Sequence, residues 1–197
     1  TPVNDAPVLV NAVDSAPVIT TITEDATNSD GHLISTLVRT VDGTSPTDTT
    51  KSVVTDVDFA SKGTGEGYDG GVAIYGLSND GPADGGQWQY KLGSGTWTDV
   101  GTVSVTTALL LSSTDSIRFV PDGKNGTTAT FSYYLWDGSS GSAGSTADST
   151  TRGGSSAFST DGDVATITVT HVNDAPTLDL DGSAAGTSFT TLFRPRG

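Results

Sequence analysis

Three observations predict an all-β chain built as a thin sandwich. Aromatic and β-branched residues fall in short alternating runs, the period of a half-buried strand. Gly, Pro and Asp punctuate the gaps between runs, as turns require. The acids are 21 Asp against only Glu24 and Glu66, beside 25 Gly. Asp competes with the backbone and prefers turns and caps, so this balance places the acids in turns and not on helices. Hydrophobic residues make up 34% and aromatics 7% of the 197 residues. That is low, but the ordered runs argue against disorder.

The elements follow in order. Val18, Thr20 and Ile22 mark one face of a first strand. Leu33, Ile34, Leu37, Val38 and Val41 then form a helical stripe, although Ser35, Thr36 and Thr40 weaken it, so one short helix or turn is expected near 32–41. Val72 and Ile74 begin another strand. Trp88, Tyr90 and Leu92 alternate with Gln87, Gln89 and Lys91 before Gly93-Ser94-Gly95 turns the chain back into Trp97, a hairpin signal. Val103 with Val105, Ile117 with Phe119, then Phe131, Tyr133 and Leu135, and finally Ala165, Ile167 and Val169 complete the set. Residues 138–160 are mostly Gly, Ser, Thr and Ala, a polar excursion expected to move unless something pins it.

Charge and missing residue types narrow the function. Nine basic residues face 23 acids, a formal net charge of −14. That sign disfavours nucleic acid and anionic membranes as partners, and no apolar run is long enough for insertion into a bilayer. Cys is absent, so there is neither a disulfide framework nor a thiolate metal site. A domain without disulfides outside the cell needs another staple, and a bound cation is the natural one. No signal peptide opens at Thr1, and the chain reads as an internal piece of a longer protein.

One echo organises the chain. Val3-Asn4-Asp5-Ala6-Pro7 returns as Val172-Asn173-Asp174-Ala175-Pro176, an offset of 169 residues. A period of that length marks a whole domain. The expected division is a junction over 1–7, one repeat over 8–172, and a junction with the opening of a next repeat over 173–197.

Calcium takes six to eight oxygens from carboxylates, carbonyls and water. Asp56 and Asp58 form an Asp-x-Asp turn in which two short side chains can reach one ion. Asn4 and Asp5 add an amide oxygen and a carboxylate, and Pro7 holds the chain extended just past them. Asp161-Gly162-Asp163 and Asp179-Leu180-Asp181-Gly182 have similar spacing but read better as plain turns. Gly63 to Asp69 echoes a calcium β-roll loop, yet it occurs once, and a roll needs stacked copies.

These residues carry a family resemblance. The Val-Asn-Asp-Ala-Pro junctions, Thr21-Ile22-Thr23-Glu24-Asp25, Thr55-Asp56-Val57-Asp58, the Trp88 to Trp97 hairpin, Ser116 to Asp122 and Leu135-Trp136-Asp137-Gly138 together resemble the cadherin-like tandem repeats of large bacterial surface adhesins. The resemblance covers most of residues 3–178. It implies a cadherin-like or immunoglobulin-like antiparallel β-sandwich outside the cell, stiffened by Ca2+ where neighbouring repeats meet. By that similarity Asn4 and Asp5 would meet Asp56, Asp58 and Asp137 at one pole, while Asn173 and Asp174 would serve the other as a half-site. Glu24 or Asp25 would serve one of the two. Without metal the clustered carboxylates would repel and leave the junction floppy.

Catalysis is not expected. His32 and His171 are the only histidines, and no metalloprotease helix, nucleophile elbow or phosphate-cradling loop occurs. A carboxylate pair could serve a glycosidase, but any acidic chain would offer as much. Asn125-Gly126-Thr127 matches a glycosylation sequon and reads better as a turn. Two other functions stay open. Trp88, Tyr90 and Trp97 could stack a cell-surface glycan, with core packing as the competing role. Ser188 to Phe193 could lend a strand to another copy of the chain in an extracellular filament.

Overall fold

The computed structural model describes residues 3–10, 17–40, 52–58, 70–79 and 85–176. Among them the chain is all-β, with strands in three sheets of mixed direction. The largest has the order β12 (Thr146–Ala147), β9 (Ala108–Ser112), β6 (Gly71–Leu77), β11 (Thr127–Trp136), β13 (Phe158–Thr170) and β2 (Val18–Thr23). A second runs β3 (His32–Leu33), β10 (Ser116–Pro121), β7 (Gly86–Lys91) and β8 (Thr98–Asp99). The third joins β1 (Val8–Leu9), β5 (Ser52–Thr55) and β4 (Val38–Thr40). Pairing is antiparallel except for β2 on β13 and β4 on β5.

Side chains from all three sheets meet in one core. Leu9 and Val54 come from the smallest sheet, Trp88 and Phe119 from the second, and Phe131 and Tyr133 from the largest. Trp88 lies edge-on to Phe119 and Phe131, each at 5.1 Å between ring centres. Its indole is fully buried, which removes 150–250 Å² from water and contributes about 4–6 kcal/mol gross. The hairpin expected around it is present, with Gln89 opposite Asp99 and Tyr90 opposite Thr98.

Several expectations are refined or corrected. The short helix or turn expected near 32–41 is a 3₁₀ turn, Ile34–Thr36, between β3 and β4, with Val41 outside the described residues. The Thr, Ile and Val residues of this stretch, branched at Cβ, are stiff at χ1 and favour extended backbone on either side. In β2 the buried residue is Ile19 at 2% exposure, whereas Val18 is 62% exposed. Register against β13 shifts between Ile19 and Ile22, so these two isoleucines, three apart, are the ones that pack on the core. Val103 and Val105 are not in a strand, and only Ser104 bridges to Thr107. Conversely β9, with Ala108 to Leu111 all buried, has no alternation to read, because both its faces are covered.

The polar excursion is pinned. Trp136 Nε1 donates to the Ser140 carbonyl at 2.7 Å, Gly144 N to Leu110 O at 2.8 Å and Ser149 N to Val105 O at 2.8 Å. Beneath it Ala73, Leu110, Trp136, Ala157 and Phe158 form a second small core. That packing fixes where β11 ends and β13 begins, and so positions Asp137.

Candidate metal centre

The two long strands define the poles. Trp136 of β11 lies opposite Phe158, and Thr127 lies opposite Val169. With twelve steps from Phe158 to Thr170, β13 spans roughly 40 Å. Asp137 stands just beyond β11 at the first pole. Glu24, which follows β2, stands at the second.

At the first pole the chain's opening segment docks on the body of the domain. Val8 and Leu9 pair with Thr55 and Val54, Ala6 and Pro7 are buried, and Ala6 N donates to Gly154 O at 2.8 Å. Gly153 and Gly154 both have positive φ, +71° and +59°, a backbone path that L side chains avoid. Their turn faces the opening segment with the Gly154 carbonyl. The Ser156 carbonyl, two residues on, accepts from Asn4.

The acids expected here are brought together. Asn4 Nδ2 donates to Asp137 Oδ2 at 2.9 Å and to Ser156 O at 3.3 Å. Asp5 N donates to Asp58 Oδ2 at 2.8 Å, and Asp58 N to Asp56 Oδ1 at 2.9 Å. Asp137 is buried and its Oδ1 accepts from Ser139 N at 2.7 Å. Hydrogen bonds link these residues, while the neighbouring carboxylates still repel one another at Asp56. Among the described residues, no three carboxylate or imidazole groups stand close enough to share one ion. The Asn4 amide N–H and the backbone N–H groups of Asp5, Asp58 and Ser139 occupy carboxylate oxygens of Asp137, Asp58 and Asp56.

One oxygen is left over. Asp56 Oδ2 is buried and has no hydrogen-bond partner among the described residues. Burial pushes the Asp56 carboxyl above its ordinary range, the Asp58 N–H opposes this, and the charges of Asp137, Asp58 and Asp5 raise it further. Leaving a buried charged oxygen unpaired costs on the order of 1–3 kcal/mol or more. The acceptor atoms here are hard oxygens of carboxylates and the Ser156 carbonyl, toward which Asn4 turns its Nδ2. They suit a calcium-like cation and not a soft metal.

At the second pole Glu24 is fully buried. Its N–H donates to Thr170 O at 3.0 Å, and Oε1 accepts from Val172 N at 2.8 Å. Oε2 is buried without a partner among the described residues. Asp25 beside it is exposed, and its carbonyl accepts from Thr27 N at 2.8 Å. Asn173 and Asp174 are exposed and make no hydrogen bond among the described residues. The pole left open for Glu24 is thus the C-terminal one.

The aromatic candidates separate. Trp88 is buried in the core and its Nε1 donates to Ser78 O at 3.3 Å, so it offers no face to a glycan. Tyr90 is half-buried against the core. Trp97 carries Arg118 at 4.3 Å and Lys91 at 4.8 Å from its ring centre, which covers the ring with the chain's own cations. Asp161 and Asp163 lie within β13, in strand and not in a turn. Residues 63–69 and 177–197 lie outside the described residues.

Sequence reasoning missed the Ser156 carbonyl and the Gly153-Gly154 turn that presents it. Backbone oxygens carry no sequence signature, and only the paired glycines hinted at a special backbone. Neither a protein-family model, nor a curated protein, nor a solved structure matches the chain, so the reading of the site rests on its own geometry.

Proposed function

We propose that the chain is a non-catalytic, calcium-binding structural repeat of an extracellular surface protein, a sandwich of cadherin-like type that Ca2+ stiffens where repeats meet. One observation carries the reading. Asn4, Asp5, Asp56, Asp58 and Asp137, drawn from three distant stretches of sequence, are linked pairwise at one pole, where a buried Asp56 oxygen lacks a donor among the described residues. A hard divalent cation supplies the missing partner and neutralises the charges that raise Asp56. No three of these carboxylates stand near enough to share the ion as the described residues lie, so binding draws Asp5, Asp56, Asp58 and Asp137 closer together and turns the Asn4 amide oxygen inward, with the Ser156 carbonyl as a further ligand.

The arrangement also gives the ion a role. A ligand bound only by the native state stabilises it by about 2.7 kcal/mol at one hundred times its dissociation constant. In a tandem protein the same ion ties an opening segment to the body of its domain, turning a jointed string into a rod. Neighbouring repeats are then the partners, and adhesion is the work of the parent protein.

Heats of Ca2+ binding, with Mg2+ as control, test the proposal. Binding to the wild-type chain that disappears in Asp56→Ala and in Asp58→Ala supports it. Equal heats in wild type and both variants place any ion elsewhere and remove the reading.

A further inference from the structure

The motif Val-Asn-Asp-Ala-Pro occurs twice, and its two copies show opposite halves of one connection. In the first copy Val3 is 72% exposed, while Asn4, Asp5 and Ala6 all bond to the domain that follows them. In the second, Val172 is tied to the domain that precedes it through Glu24. Asn173 to Pro176 are exposed, with no hydrogen bond among the described residues. The valine is seated backward and the four residues after it are seated forward.

We infer that Asn-Asp-Ala-Pro is the first segment of each repeat and not a linker, and that successive repeats join at the single peptide link between Val172 and Asn173. The occupant of the C-terminal pole is then a following domain of this same fold whose first residue is Asn173. Its Asp-x-Asp turn and its counterpart of Asp137 hold Asn173 and Asp174 as Asp58 and Asp137 hold Asp5 and Asn4 here. Consecutive Cα atoms are about 3.8 Å apart. A joint of one link therefore sets the Glu24 end of one repeat directly against the Asn4 end of the next, with no slack between them. This inference rests on the tandem-repeat half of the proposed function and needs no ion. The hydrogen bonds that seat the motif come from the protein alone.

Amide hydrogen exchange, run throughout in chelator, tests it without reference to calcium. In the 197-residue chain the amides of Asp5 and Ala6 should exchange at least about tenfold more slowly than those of Asp174 and Ala175. Equal protection of the two pairs overturns the inference, because the second copy would then be docked on the domain before it. In two copies of the chain joined so that Asn4 of the second follows Val172 of the first, both sides of the joint should be protected. Val172 of the first copy and Asp5 and Ala6 of the second are slow, leaving the Asn4 amide as the fast position. Three or more successive amides across the joint at the free-chain rate mean a true linker and contradict the assignment. In the joined protein, Asp58→Ala in the second copy should release its Asp5 and leave Val172 protected. Loss of protection at both shows that the two sides are not seated on separate domains.

Discussion

Asn4-Asp5-Ala6-Pro7 and Asn173-Asp174-Ala175-Pro176 are identical in sequence and differ in everything else. The first segment has buried Ala6 and Pro7, an amide bonded to Asp137 and a backbone bonded to Asp58. The second is exposed at all four positions. The motif therefore has little structure of its own. Its conformation comes from the partners set opposite it: the turn after β5, the residue after β11 and the glycine turn before β13. A local sequence with strong identity marks where a contact will form, while the contact itself belongs to residues over fifty or a hundred positions away.

The comparison can be broken most sharply at Asp137. Asp137→Ala removes acceptors for Ser139 N and Asn4 Nδ2 at a buried position and should cost about 2–3 kcal/mol. Asp174→Ala should stay within about 0.5 kcal/mol of wild type. Denaturant unfolding of the two variants reads the difference directly, and equal losses would mean that the first segment is no better seated than the second.

A smaller loss is expected at Asp58. Among the described residues its carboxylate accepts one hydrogen bond, from an exposed backbone N–H of Asp5. Asp58→Ala should cost about 1 kcal/mol and make the bond before Ala6 accessible to limited proteolysis. A variant as stable and as resistant as wild type would show that this contact contributes nothing.

Asp56 should behave in the opposite way. Its folded pKa is raised above the ordinary 3.8, so the fold favours the protonated form. The stability this carries is present below the ordinary value and is lost as pH rises through the raised one. In chelator, Asp56→Asn should therefore match wild type at pH 3.5 and exceed it increasingly toward neutrality, as thermal melts across that range would show. A variant weaker than wild type at neutral pH would instead make Asp56 a net stabilising charge.

The smallest effect lies away from both poles. Burial lowers the His32 pKa from 6.5, so its neutral form is the one the fold accommodates. Stability from His32 is present above pH 6.5 and lost as pH falls through the depressed value. His32→Gln should flatten the melting profile slightly as pH falls below the ordinary 6.5. An unchanged slope in that window would assign the acid sensitivity to other groups.

Much of this was legible in the sequence where side chains alternate. The Trp88 hairpin, β10 and β11 follow from period-2 runs, and the Asp-x-Asp turn and the echoed motif follow from short-range spacing. What escaped was of two kinds. β9 is apolar at every step because both faces are covered, so periodicity is silent there. Within β2, a register shift exchanges Val18 for Ile19 as the buried residue, a choice that β13 makes and the strand's own sequence does not. At the candidate site the carboxylates could be named in advance, but the pole of Glu24 could not. That depends on β2 lying parallel to β13, which carries Glu24 to Val172.

The most direct test of the central claim is a thermal melt of the chain in chelator and in millimolar Ca2+, beside Asp56→Asn. The account predicts that calcium raises the wild-type Tm by several degrees and leaves the variant's Tm unchanged. A wild-type Tm indifferent to calcium, or a variant that gains as much as wild type, would contradict it.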